Sequence, residues 1–156
     1  KLTRYTLSKE KGDWSYNREV LCDEYADFPI INPKQVTQQH RYIFMNCGRE
    51  VNRASPLQGL LKYDTSTKKY SRWIGEVDEF LSEPIFAPRE GMEEDDAYIL
   101  SISTKTSSLT NDFCIFDARN IEQGPLQRIP LPSYLSYGLH GTFIPHLTFD
   151  TEEAKR

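Results

Sequence analysis

The chain has 156 residues and a net charge of −4, long enough for one domain with a core of its own. Apolar residues make up 38% and charged residues 27%; both signs are interspersed and no basic stripe alternates with aromatics, which argues against a nucleic-acid partner. Apolar runs such as "YIFM" and "YIL" are too short to span a bilayer.

The first residue is Lys1 rather than methionine, and the strand-like "KLTRYTLS" begins at once, so the chain is expected to be a piece of a longer polypeptide. No signal-peptide or lipidation pattern lies within it. Aromatic residues at 12% favour strands over a helical bundle, and no stretch carries an amphipathic-helix period. In chain order, short strands separated by turn chemistry are predicted over Leu2–Ser8, Ser15–Leu21, Arg41–Cys47, Gly59–Asp64 and Lys69–Gly75. Further strands are predicted over Glu83–Pro88, Ala97–Thr104, Asp112–Asp117, Leu126–Leu131 and Thr142–Phe149. Turn-forming residues cluster between them, so the fold class is all-β. Cys22, Cys47 and Cys114 fit neither a disulfide framework nor a zinc knuckle, and are expected to be buried or half-buried free thiols in a reducing compartment.

An internal repeat organises these strands. "LTRYTLSKEKGDWSYNREV" from Leu2 resembles "LLKYDTSTKKYSRWIGEV" from Leu60, and "FCIFDARNIEQGPLQRIPL" from Phe113 is a fainter copy. Their marker aromatics Tyr5, Tyr63 and Phe116 lie 58 and then 53 residues apart. A period of about 50 residues holding about four strands is that of β-propeller blades, and three blades are fewer than the roughly 4–8 of a closed propeller. Some 20 to 24 residues after each marker, a polar residue leads into a proline-containing apolar strand: Asp27 of "DFPIIN", Glu83 of "EPIFAP" and His140 of "HGTFIP". On innermost strands these three would converge on one axial spot, where two carboxylates and an imidazole call for a cation or a catalytic role. The plainer reading of His140 is a satisfied core or turn residue. Gly138 and Gly141 favour the metal, because glycine lets backbone and ligand approach closely.

The segments "DFPIINP", "SEPIFAPREGMEEDDAYIL", "FCIFDARNIE" and "YGLHGTFIP" stand in the order seen in the C-terminal part of carotenoid cleavage oxygenases, the family of apocarotenoid oxygenases and the retinal-pigment-epithelium retinoid isomerase. The resemblance covers nearly the whole chain, so that residues 1–156 read as a C-terminal fragment without its upstream blades. It implies a seven-bladed β-propeller with Fe(II) on the axis, held by four histidines, three of which are oriented by glutamates. The activity implied is O₂-dependent cleavage of a conjugated double bond in a carotenoid, apocarotenoid or stilbene-like polyene. His140 then corresponds to the last iron ligand, and Glu83 to the glutamate that hydrogen-bonds it. Asp27 takes the place of a second such glutamate, one methylene shorter than the family pattern, and Leu139 stands where the family often has a phenylalanine beside the substrate tunnel. His40 and His146 match no ligand position and read as surface or strand-end residues. The run "EEDD", Glu93 to Asp96, lacks the spacing of a calcium loop and reads as a solvated turn.

The partners implied are the polyene, O₂ and the remaining blades of the parent chain, with no nucleic acid and no transmembrane segment. The implied location is cytoplasmic or plastid, with peripheral membrane contact compatible with it. The isolated fragment is expected to be inactive. Two alternatives remain at this stage: a truncated, non-catalytic propeller module that binds a partner or polyene, and a propeller glycosidase using Asp27 and Glu83 as its carboxylate pair.

Overall fold

The computed structural model describes residues 1–51, 53–138 and 140–145. Strands β1 (Leu2–Glu10) and β2 (Asp13–Cys22) form a hairpin. Both residues of its turn, Lys11 and Gly12, have positive φ, the geometry whose twist matches that of the flanking strands. Strands β3 (Ala26–Ile30), β4 (Tyr42–Gly48), β5 (Leu57–Asp64) and β6 (Lys69–Ile74) make a four-stranded antiparallel sheet in chain order. In a third sheet β7 (Glu79–Leu81) and β8 (Ile85–Pro88) both pair with β9 (Ala97–Lys105), followed by β10 (Thr110–Asp117) and β11 (Pro125–Pro130). Because β7 and β8 lie along the same partner, they are one edge strand interrupted at Ser82–Pro84.

The repeat is therefore structural. Tyr63 on β5 and Phe116 on β10 occupy the third strand position of their sheets. Tyr5 lies on β1, so the hairpin corresponds to the two outer positions of such a sheet. The first repeat thus builds two strands among the described residues, not four. Its Tyr5, Leu7, Trp14 and Tyr16 are exposed, the apolar face of an incompletely covered sheet.

Three expectations about strands need correction. Ala26–Ile30 and Glu79–Leu81 are strands that the patterning did not predict, the first because Pro29 interrupts it and the second because it is only three residues long. Residues 142–145 form no strand, and the remainder of the segment expected over Thr142–Phe149 lies outside the described residues.

Alternation along β4 and β5 explains how the layers stack. Ile43, Met45, Leu61 and Tyr63 belong to the core against the base of the hairpin, with Cys22 and Cys47. Phe44 and Leu60, on the opposite face, pack with Leu81, Phe86, Ile99 and Phe116 of the third sheet. A sheet covered on both faces reads as near-continuous hydrophobic strands, which is why β4 and β5 are buried almost throughout. The three cysteines are free and buried, and burial pushes the Cys47 thiol up to about 12 and that of Cys114 to about 11.

The acidic turn is not simply solvated. The Glu94 carboxylate accepts the backbone N–H groups of Arg41 (2.8 Å) and Tyr42 (2.8 Å). Asp95 pairs with the largely buried Lys62 at 2.7 Å, and Asp96 with Arg89 at 2.8 Å. The run ties the second and third sheets together. Among the described residues no helix is long and apolar enough to cross a membrane.

Candidate metal centre

The edge strands of the second and third sheets carry the same irregularity. Across β3 and β4, Asp27 is opposite Asn46 and Ile30 opposite Phe44, so Phe28 and Pro29 together face the single residue Met45. Across the third sheet, Leu81 is opposite Ser103 and Ile85 opposite Leu100, so Ser82, Glu83 and Pro84 face only Ser101 and Ile102. Each strand thus bulges by one residue beside an acid and a proline. A bulge frees a residue from the ladder and re-aims its side chain.

In the third sheet the freed residue is Glu83. Its Oε2 lies 3.1 Å from Nδ1 of His140 and accepts the backbone N–H of Gly141 at 3.2 Å. In the neutral ring this bond requires the proton on Nδ1, which leaves the Nε2 lone pair for a ligand. The imidazole is 71% exposed while Glu83 is 20% exposed, so the carboxylate supports the ring from the protein side. Gly141 has a packing reason: a Cβ there would stand 2.7 Å from Cδ1 of Ile85. Gly138 has open space around it. Phe28 meets the His140 ring edge-on, with centroids 6.2 Å apart. A cavity of about 110 Å³ opens beside the pair, walled by Ile85, Ile102 and Phe113.

Asp27 does not join them. It is exposed, and its Oδ1 accepts the N–H of Phe28 at 2.8 Å, holding that residue in the left-handed region at φ 54°. Among the described residues no group of three His, Cys, Asp or Glu side chains could hold a metal. The expected convergence of Asp27, Glu83 and His140 is thus a pair plus a neighbour. Moreover, Asp27 and Glu83 line different cavities instead of facing each other across one, as the carboxylate pair of a glycosidase does. His40 is half-buried ahead of β4, with Nδ1 3.4 Å from the Gln38 carbonyl, and lines a different cavity from Glu83 and His140. Leu139 and His146 lie outside the described residues.

A second repeated device escaped the sequence reading. Glu24 is buried and accepts from Tyr70 and Arg72 on β6. Glu79 is fully buried and accepts from Arg128 on β11 (2.5 Å) and Ser103 (2.5 Å). The signal was available as "DEYADFP" against "DEFLSEP". Burial alone would raise the Glu79 carboxyl, yet the bonds from Arg128, Ser103 and the Glu76 N–H hold it below the usual range.

Antiparallel sheets of four strand positions, repeated along the chain and packed face to face with an acid at the edge of each, are blades of a β-propeller. The family model described as retinal pigment epithelial membrane protein, RPE65, matches residues 1–145, and the chain belongs to this family. It is 27% identical over 143 residues to apocarotenoid-15,15'-oxygenase of Synechocystis, covering 91% of this chain and 29% of that protein. A solved mutant of the Synechocystis ACO superposes with a TM-score of 0.84 at 27% identity, over 90% of this chain and 29% of the other. A cobalt-substituted Synechocystis ACO gives 0.77 at 28% identity, over 81% and 26%. The chain therefore spans less than a third of the length of these relatives.

Proposed function

We propose that this chain is the C-terminal part of a seven-bladed, Fe(II)-dependent dioxygenase that cleaves a conjugated double bond of a carotenoid or apocarotenoid. The observation that carries this reading is the 3.1 Å contact between His140 Nδ1 and Glu83, which presents Nε2 outward beside an apolar cavity. A ligating histidine characteristically gives its other N–H to a carboxylate. The name of the Synechocystis relative and the cobalt in its substituted form support the same chemistry.

In this reading His140 is one of four histidine ligands, the other three coming from polypeptide beyond this chain, since one imidazole does not hold Fe(II) against water. When bound, the iron supplies the activation of O₂. This chain's residues orient and polarise. Glu83 keeps the proton on Nδ1 and fixes the plane of the ring, with the Gly141 N–H on the same carboxylate oxygen. Ile85, Ile102 and Phe113 offer an apolar wall that suits a polyene and excludes water. Both atoms of O₂ are accounted for when each carbon of the cleaved bond becomes a carbonyl. Asp27 would orient a histidine from an upstream blade in the same manner, and Leu139 would border the substrate.

The test uses the complete protein that carries this chain. His140→Ala should abolish retention of Fe(II) after dialysis and the formation of carbonyl products from an apocarotenoid. Glu83→Gln should weaken iron binding by about 10–100-fold, and Asp27→Asn by about 10-fold. Wild-type iron content in His140→Ala would sink the reading.

A further inference from the structure

The bulge that aims Glu83 is itself held from the neighbouring sheet. Asn46 on β4 is fully buried, and its Nδ2 donates to the carbonyls of both Leu81 (3.2 Å) and Ser82 (2.8 Å). Two further side chains bond the same carbonyls, Ser101 Oγ to Ser82 (2.9 Å) and the Tyr137 hydroxyl to Leu81 (2.7 Å). The Ser82 carbonyl belongs to the peptide plane that ends at the nitrogen and Cα of Glu83. Fixing that plane from one side, with Pro84 restricting Glu83 from the other, leaves the carboxylate few directions in which to point.

Asn46 is an expensive way merely to fill space. Its Oδ1 is buried with no hydrogen-bond partner among the described residues. Exchanging the amide oxygen and nitrogen would set the oxygen against two carbonyls, so the orientation is forced. An apolar residue on this face of β4, beside Phe44, would pack the two sheets without an orphaned acceptor. A buried polar group kept at such a cost points to a functional duty. Asn46 also pairs directly with Asp27 in the β3–β4 register, so one side chain stands between the two bulges.

We infer that Asn46 is a positioning residue: through the Ser82 carbonyl it sets the aim of Glu83, and through Glu83 the orientation of the His140 ring. The inference rests on the proposed role of His140 as a metal ligand. Its test is a double-mutant cycle in the complete, metal-free protein, titrated with Co(II) and read by the d–d absorption of the bound ion. Asn46→Leu should weaken Co(II) binding by about 10-fold and displace the absorption band in the same direction as Glu83→Gln. In the Glu83→Gln background, Asn46→Leu should cost nothing further, because its effect travels through the carboxylate. Ser101→Ala, which removes one donor and no buried bulk, should show a smaller loss that also vanishes in that background. Losses that multiply, or wild-type affinity and spectrum in both Asn46→Leu and Ser101→Ala while Glu83→Gln is weakened, would overturn this inference alone. Wild-type affinity in Glu83→Gln would overturn the ligand reading and this inference with it.

Discussion

In the second sheet the buried Glu24 lies 3.5 Å from Arg72 and also accepts from Tyr70, both on β6; in the third sheet the buried Glu79 lies 2.5 Å from Arg128 of β11 and accepts from Ser103. A few residues later each edge strand bulges at an acid, Asp27 in one and Glu83 in the other. From there the two copies part. Glu83 meets His140 and Gly141, and side chains from two other sheet strands and the segment beyond β11 hold its backbone. Asp27 faces solvent and bonds the next residue's N–H. Duplicated backbone geometry supplies a place for an acid, and the partner brought up from elsewhere in the fold decides what that acid does. Arg72 and Arg128 each stand opposite the residue two before the marker aromatic, Leu61 and Cys114, whereas the hairpin has Val20 at that place, opposite Thr3.

The largest effect that could break this comparison concerns the buried carboxylates. Arg128→Met leaves Glu79 buried and without its cation, and should lower stability by about 3–5 kcal/mol. Arg72→Met leaves Glu24 the Tyr70 hydroxyl, and should cost only about 1.5–3 kcal/mol. Urea unfolding of the complete protein measures both, and equal losses would show that the two sheets are closed in the same way.

Acid sharpens the same contrast. A carboxyl whose pKa falls on folding stabilises the native state above its unfolded value, about 4.3 for glutamate, and that stability is lost as pH drops through the lower native value. Glu79 is such a group, through its bonds to Arg128 and Ser103. Glu79→Gln should therefore lose stability at neutral pH and show a shallower decline than wild type below about pH 4.3. Parallel acid limbs would remove Glu79 from the account.

The smallest effect separates the glycines around His140. Gly141→Ala must displace Cδ1 of Ile85, the far end of a flexible side chain, and should cost about 1 kcal/mol. Gly138→Ala meets open space and should stay within about 0.5 kcal/mol of wild type. A larger loss at Gly138 than at Gly141 would mean that the close approach to Ile85 is not what constrains this segment.

Several features were legible before any coordinates. The strands β4, β5, β9 and β10, set off by turn residues, are local features, and each appears in the fold close to where it was expected. The offsets from Tyr63 and Phe116 led to Glu83 and His140, which do meet. The same offset from Tyr5 led to Asp27, which bonds the N–H of the next residue instead of joining that pair. The edge strands β3 and β7 were hidden because bulge and proline destroy the alternation that announces a strand. The acidic run reads as a solvated turn from its spacing, and its cations, Lys62, Arg89 and Arg119, come from three other places in the chain.

What the sequence by itself determined is the all-β class, the repeat and the turns, because a two-residue period and the conformational limits of Gly, Asn and Asp act over a few neighbouring residues. That Glu83 holds His140 was expected from the family resemblance; that a buried amide holds that acid in turn, only the tertiary structure decided. Those contacts join residues 57 and 36 positions apart, and they exist only once hydrophobic packing has laid the third sheet against the second.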